Sequence, residues 1–271
     1  MVEKIAIELG DVQKTMLIPL WGRADETRKP KPLLVDNKAL EIIETIDYDF
    51  STIGQKTSPL TQAAWIRRSL FVDEVSRKFS AKFPHGTIVN IGCGLDTTFE
   101  RVDNGQLRWY DLDMPDVIAL RRKFIPESER RKFISSSFLE EAWLKEIRVE
   151  GQVLFIAAGL FYYFSEEQVM DFMIRLADEF PVAEIVFDVC SPQGVRVANR
   201  MVIRSSGLGA KSDLQWGLES PRAMLAWDER FRILQTHYYF GLMARGLSFN
   251  LRFYGMLSDA MKIQYMLHMS L

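Results

Sequence analysis

Between residues 87 and 190 the chain alternates short apolar runs with segments of helical spacing, and no other feature restricts its folding as strongly. TIVNI (87–91), LRWYDLD (107–113), KFISSS (132–137), QVLFIAAG (152–159) and EIVFDVC (184–190) read as strands. The segments between them, DTTFERVDN, MPDVIALRRKFI, FLEEAWLKEI and SEEQVMDFMIRLADEF, read as helices. Pro115 suits a first helical turn, and Ser165 with Gln168 has capping-box spacing. Strands joined by helix-length crossovers lie parallel, and right-handed crossovers cover both faces of the sheet. FRILQTHYYF and LSFNLRFYGML, joined around GLMARG, read as two further strands. The expected fold is α/β, a doubly wound, mostly parallel sheet of seven strands.

The flanks divide the chain into four parts. Residues 1–60 form an N-terminal extension, in which GRADETRKPKPLLVDN (22–37) is charged and Pro-rich enough for a surface loop. Residues 61–190 are the core, opened by a helix over 61–83 with apolar positions at Trp65, Ile66, Leu70, Phe71, Val75 and Phe79. Residues 191–229, with Gly207, Gly209, Gly217, Trp216 and Trp227, read as an insertion of helices and loops over the sheet's edge. Residues 230–271 complete the sheet. Composition adds exclusions. The 34 Lys and Arg nearly cancel the 36 Asp and Glu, which gives no reason to expect nucleic acid or an anionic membrane as partner. Cys93 and Cys190 show neither metal-ligand nor disulfide spacing, and MVEKIAIELG lacks the apolar core of a secretory signal. With no run of about 18 apolar residues, a cytoplasmic location is expected. Monomer and homodimer both remain open.

Chemistry gathers at the carboxyl ends of the strands, where open α/β sheets hold ligands. Gly92-Cys93-Gly94 follows the first core strand and would let backbone amides approach a nucleotide-like cofactor; alternatively it is a strand-to-helix turn with no ligand. Asp111 and Asp113, about 20 residues on, stand where an acid reaches ribose hydroxyls, and either could do so. Ribose is common to nicotinamide dinucleotides and S-adenosylmethionine. A dinucleotide fingerprint wants Gly or Ala at 97, where this chain has Thr97, and that favours S-adenosylmethionine. On the preceding helix, Arg68, with Arg67 beside it, could clamp a carboxylate bidentately. Tyr162 and Tyr163 in FYYF (161–164) would shape an acceptor pocket, with Trp216 and Trp227 from the insertion lidding it. Tyr163 and His237 are the side chains that could serve as a base.

Together IRRSLFVDE, IVNIGCGLDTTFERV, WYDLDMPDVIALRRKFI and AAGLFYYFSEEQV resemble the family of leucine carboxyl methyltransferases and bacterial polyketide O-methyltransferases of the tetracenomycin type. DLQWGLESPRAMLAWDERFRIL resembles the small-molecule branch. The resemblance implies a Rossmann-like class I fold and methyl transfer from S-adenosylmethionine to a carboxylate or hydroxyl of a small molecule. It implies that Arg68 meets the methionyl carboxylate, that Gly92, Cys93 and Gly94 line the cofactor, and that Asp113 holds the ribose. Where the family shows Asp-Leu beside the adenine, this chain has Ser136, Ser137 and Phe138. Where it shows Glu after the fourth strand, this chain has Ala158. These departures set the alternatives, a non-catalytic relative that binds the cofactor or a partner, and behind it a nicotinamide-dependent oxidoreductase.

Overall fold

The computed structural model describes residues 4–7, 15–200, 213–241 and 246–271. A two-residue strand β1 (Ile5–Ala6) and helices α1 (Leu17–Thr27) and α2 (Asn37–Thr45) open the chain, and β2 (Ile46–Asp47) pairs with β1 in parallel. After α3 (Ser51–Lys56) comes the long α4 (Pro59–Lys82). Ser58 caps α4 by accepting from the Thr61 N–H, and Pro59 occupies its first turn, where a missing N–H costs nothing.

The alternation then follows as expected: β3 (Thr87–Ile91), α5 (Thr98–Val102), β4 (Arg108–Asp113), α6 (Pro115–Arg121), β5 (Arg131–Ser135), β6 (Val153–Ala157), α7 (Glu166–Glu179) and β7 (Glu184–Val189). The capping box at the start of α7 is present, with Ser165 and Gln168 each accepting from the other's backbone N–H. Beyond β7 lie α8 (Pro192–Ala198), β8 (Arg232–Tyr238), α9 (Phe249–Ala260) and β9 (Tyr265–Ser270). The main sheet has seven strands among the described residues, in the order β5-β4-β3-β6-β7-β9-β8. The first five are parallel, and β9 runs antiparallel to both of its neighbours.

Strand β6 shows why its run is continuously apolar. Val153, Phe155 and Ala157 enter the core on the α7 face, while Leu154 and Ile156 enter the core beneath α4. A third core joins α1 and α2 to Cys93, Leu95 and α6, so the N-terminal helices pack over the glycine turn.

Three segments depart from expectation. Residues 22–27 belong to α1 rather than to a surface loop: Arg23 and Glu26 are buried, Arg23 against Asp36 at 2.9 Å and Glu26 against Lys29 at 2.6 Å. Their charges are neutralised by partners distant or local, which a charge count does not reveal. LSFNLRFYGML falls mostly in α9 and not in a strand: the helix packs through Gly255 on Phe240, while Phe249, Phe253, Met256 and Leu257 stay exposed; the closing strand is Tyr265–Ser270. FLEEAWLKEI carries only a short 3-10 turn, Ala142–Glu146. Gly207 and Gly209 of the insertion and residues 242–245 of the GLMARG turn lie outside the described residues.

Candidate active site

The chain leaves β3 towards β4 and β5 on one side and returns to β6 on the other, which makes the carboxyl ends of β3 and β6 the topological switch point. A cavity of about 960 Å³ opens there, lined by Gly92, Cys93, Gly94, Asp113, Ala158 and Arg68 among others. Gly92 (φ +62°) and Gly94 (φ +46°) are left-handed. A Cβ on Gly92 would lie 2.8 Å from Leu160 Cδ1, and one on Gly94 3.2 Å from Met16 Cβ. The left-handed backbone alone penalises a side chain by about 1–2 kcal/mol. Gly92→Ala is accordingly expected to lower the melting temperature by a few degrees in a thermal melt, more than an alanine at the solvent-exposed Gly105 would.

The two aspartates of β4 part company. Asp113 ends the strand and faces the cavity, its Oδ2 accepting from the Gly94 N–H at 2.7 Å and its Oδ1 from the Met114 N–H at 2.8 Å. Burial raises its pKa, against the two backbone N–H groups that lower it. A carboxylate has about four lone-pair sites, so acceptor capacity remains on both oxygens. Asp111 does not line the cavity. It is fully buried about 6.6 Å deeper along the strand, at about 3.3 Å per residue. There it accepts from Arg121 Nη2 (3.0 Å), Arg131 Nε (2.8 Å) and Trp109 Nε1 (3.0 Å).

Thr97, which stands where a dinucleotide fingerprint wants glycine, has a structural partner. Its hydroxyl lies 2.5 Å from Asp36 Oδ2, and Arg101 Nη1 donates to both, at 2.9 Å to Thr97 Oγ1 and 2.8 Å to Asp36. Arg23 Nε also donates to Asp36, and Arg101 grips Asp73 with two bonds of 2.9 Å. Asp36 therefore ties the N-terminal helices to the segment just after the glycine turn. Beside it Asp96 accepts from the Thr98 N–H; burial favours its neutral form, but Arg23, Arg101 and Thr98 hold it well below the usual carboxylate range.

On α4, Arg68 crosses to the carboxyl ends of β6 and β7. Its Nη1 donates to Asp188 Oδ2 at 3.2 Å and lies 3.4 Å from Tyr162 Oη. Gly159 (φ +83°) permits this approach, since a Cβ there would sit 2.9 Å from Nη1. Asp188 was not among the residues singled out from the sequence. Its signal lies in EIVFDVC, where Asp188 stands inside the apolar run while Glu184 only opens it, because a charge in a strand buried on both faces demands a partner.

Of the other expected residues, Ala158, Tyr162 and Tyr163 line the cavity, as does Cys190. Burial raises the pKa of both tyrosines and of Cys93. Ser136, Ser137 and Phe138 do not line it. Ser136 Oγ bonds Glu140 Oε2 at 2.7 Å, Ser137 Oγ accepts from the Leu139 N–H, and the Phe138 ring is turned into an aromatic cluster with Phe164 (4.7 Å) and Phe172 (4.8 Å). Trp216 and Trp227 also lie away from the cavity, packed 5.9 Å apart against the α7-face core; the insertion instead contributes Val197, Ala198 and Leu214. His237 is stacked on Phe71 at 4.4 Å, outside the lining, with its pKa lowered by burial. Residues not singled out for the site from the sequence complete the wall, among them Trp65, Tyr239, Tyr254, Leu257 and Met261. Among the described residues no group of three His, Cys, Asp or Glu side chains could hold a metal ion, and no helix is long and apolar enough to cross a membrane.

Comparison with known proteins gives a consistent picture. The family model for leucine carboxyl methyltransferase matches residues 17–177, beginning at the first residue of α1. The tetracenomycin polyketide synthesis O-methyltransferase TcmP of Streptomyces glaucescens is 32% identical over 220 residues, covering 80% of this chain and 79% of that protein. The S-adenosyl-L-methionine-dependent methyltransferase dpfgK of Gibberella zeae is 26% identical over 264 residues, 87% of each. Among solved structures, a DUF574 family protein of Streptomyces avermitilis superposes with a TM-score of 0.62 at 11% identity, over 92% of this chain and 96% of that one, which shows the shared fold.

Proposed function

This chain belongs to the leucine carboxyl methyltransferase family and is an S-adenosylmethionine-dependent methyltransferase, and we propose that the group it methylates is a carboxylate on a largely apolar small molecule. The residues at the switch point suit the cofactor. Left-handed Gly92 and Gly94 keep side chains out of the turn, Asp113 has lone pairs left for two ribose hydroxyls, and Arg68 has donors left for a carboxylate. When bound, S-adenosylmethionine supplies a methyl group already activated on a sulfonium sulfur.

The acceptor assignment rests on one observation: among the described residues that line the cavity, apart from Asp113, which the ribose would engage, no side chain is set to take a proton near neutral pH. Burial pushes the Tyr162, Tyr163 and Tyr239 hydroxyls and the Cys93 and Cys190 thiols upward, so each stays protonated. Asp96 is held ionised by two guanidinium groups and is a poor base, and His237 packs outside the lining. A hydroxyl acceptor needs a base. A carboxylate is already a nucleophile at pH 7, and holding it in line with the methyl group is enough; orientation of this kind is worth up to about 7–11 kcal/mol. The rest of the lining, with Trp65, Val197, Leu214, Tyr239 and Leu257, offers an apolar body its surroundings.

The test is a pH profile on matched aromatic carboxylic acids and phenols, with S-adenosylhomocysteine release as the readout. Carboxylic acids are expected to be methylated with kcat/KM flat from about pH 6 to 9. Methylation of the phenols alone, with log kcat/KM climbing with pH, would overturn the carboxylate assignment.

A further inference from the structure

Asp188 is completely buried near the end of β7, and each of its oxygens is engaged. Oδ1 accepts from the Gly159 N–H at 2.5 Å, in the turn that follows β6. Oδ2 accepts from Arg68 Nη1 at 3.2 Å and from Gln264 Nε2 at 2.7 Å. Arg68, Gly159 and Gln264 all line the cavity, whereas Asp188 stands behind them. Among the described residues Nη1 is the guanidinium nitrogen with protein partners, namely Asp188 and Tyr162. Nε and Nη2 keep their donors.

We propose that Asp188 is the positioning residue for Arg68, anchoring one guanidinium nitrogen so that the remaining donors are presented to the amino-acid carboxylate of the cofactor. The proposal rests on the reading of this cavity as the S-adenosylmethionine site. A flexible four-bond side chain would otherwise sample many rotamers, and a buried cation without a counter-charge would be strongly disfavoured. One carboxylate resolves both difficulties. By holding the Gly159 N–H as well, it keeps the left-handed residue whose missing side chain makes room for Nη1. Asp188 thereby supplies the negative charge beside Arg68 from the neighbouring strand, and Ala158, which carries none, can line the cavity without leaving the guanidinium unpaired.

The experiment compares two ligands that share an adenosine and a sulfur but differ at the far end. S-adenosylhomocysteine carries the amino-acid carboxylate, and 5′-methylthioadenosine lacks it. Calorimetric titration of Asp188→Asn is expected to show S-adenosylhomocysteine weakened about 10- to 30-fold and methylthioadenosine changed less than twofold. Equal weakening of both would mark Asp188 as a structural residue only and overturn the proposal, as would no weakening of either. Failure of the wild-type protein to bind either ligand would instead sink the cofactor reading. If Asp188→Asn does not fold, Arg68→Met and Arg68→Met/Asp188→Asn carry the test, since no guanidinium is then buried against an amide. Those two should bind S-adenosylhomocysteine equally, because a residue acting through Arg68 has nothing to add once Arg68 is gone; a further loss in the double variant would overturn the proposal.

Discussion

Asp111→Ala is expected to lower the melting temperature by roughly 6–20 °C, whereas Asp113→Ala should leave it nearly unchanged and weaken cofactor binding on the order of 100-fold or more. The first residue is the counter-charge of Arg121, which is fully buried and, among the described residues, otherwise donates to the Gly94 carbonyl at 2.8 Å. Arg131 would keep Glu100 at 2.7 Å but lose its second carboxylate. Removing one partner of a buried pair costs about 3–5 kcal/mol, because the other charge is stranded, and a chain of this size loses about 2–4 °C per kcal/mol. Asp113 instead bonds two backbone N–H groups beside a cavity that water reaches, so its loss strands no charge. What it would forfeit is two charge-assisted bonds to ribose, each worth about 1.5–3 kcal/mol, or on the order of 100-fold or more in affinity together. Thermal melts with and without S-adenosylhomocysteine measure both effects on one sample. A stable Asp111→Ala that binds poorly, beside an unstable Asp113→Ala that binds well, would reverse the roles.

The second large effect is expected at Asp36. This carboxylate is 1% exposed and receives Arg23, Arg101 and Thr97 on one oxygen and the Ala39 N–H, the cap of α2, on the other. Asp36→Ala should cost up to about 3–5 kcal/mol for Arg23, which loses its hydrogen-bonded carboxylate and keeps the nearby charge of Asp96, with Arg101 partly retained by Asp73, and about 1 kcal/mol more for the lost cap. Hydrogen exchange should localise the damage, with protection falling first across α1 and α2 and at the turn of Leu95–Thr97, while β6 and β7 stay protected. Uniform loss across the sheet would show that the N-terminal helices are not tied to the glycine turn through this residue.

Much of this architecture is legible in the chain. Strands β3, β4, β6 and β7 can be read from their apolar runs, because a strand buried on both faces has no polar side to obscure it; β5, at the sheet's edge, leaves Lys132 and Ser135 exposed and is read from its place in the alternation. The Ser165–Gln168 box and Pro115 mark helix starts through interactions that span three residues or fewer. The glycine turn is equally local. What escapes is anything decided by distance in sequence. LSFNLRFYGML contains residues that favour strands, and α9 forms because Gly255 lets it close on Phe240, where a Cβ would meet the ring at 2.6 Å. Arg23 and Glu26 belong to a charged stretch that reads as solvated, yet partners up to 72 residues away bury Arg23. Trp216 and Trp227 advertise a pocket and fill a core instead.

The makeup of the cavity around the glycine turn was determined by the sequence alone. Gly92, Gly94 and an acid at the end of the next strand are set by local backbone geometry and strand length, and both can be counted along the chain. Which acid borders the cavity, what Thr97 bonds and how Arg68 is held were decided only by the tertiary structure. Asp111 and Asp113 share one face of β4 and differ in depth, and depth depends on where the sheet ends against its neighbours. Thr97 meets Asp36 across 61 residues, and Arg68 meets Asp188 across 120. A buried charge is stabilised by whichever counter-charge the folded chain brings to it, and no local pattern specifies which one that is.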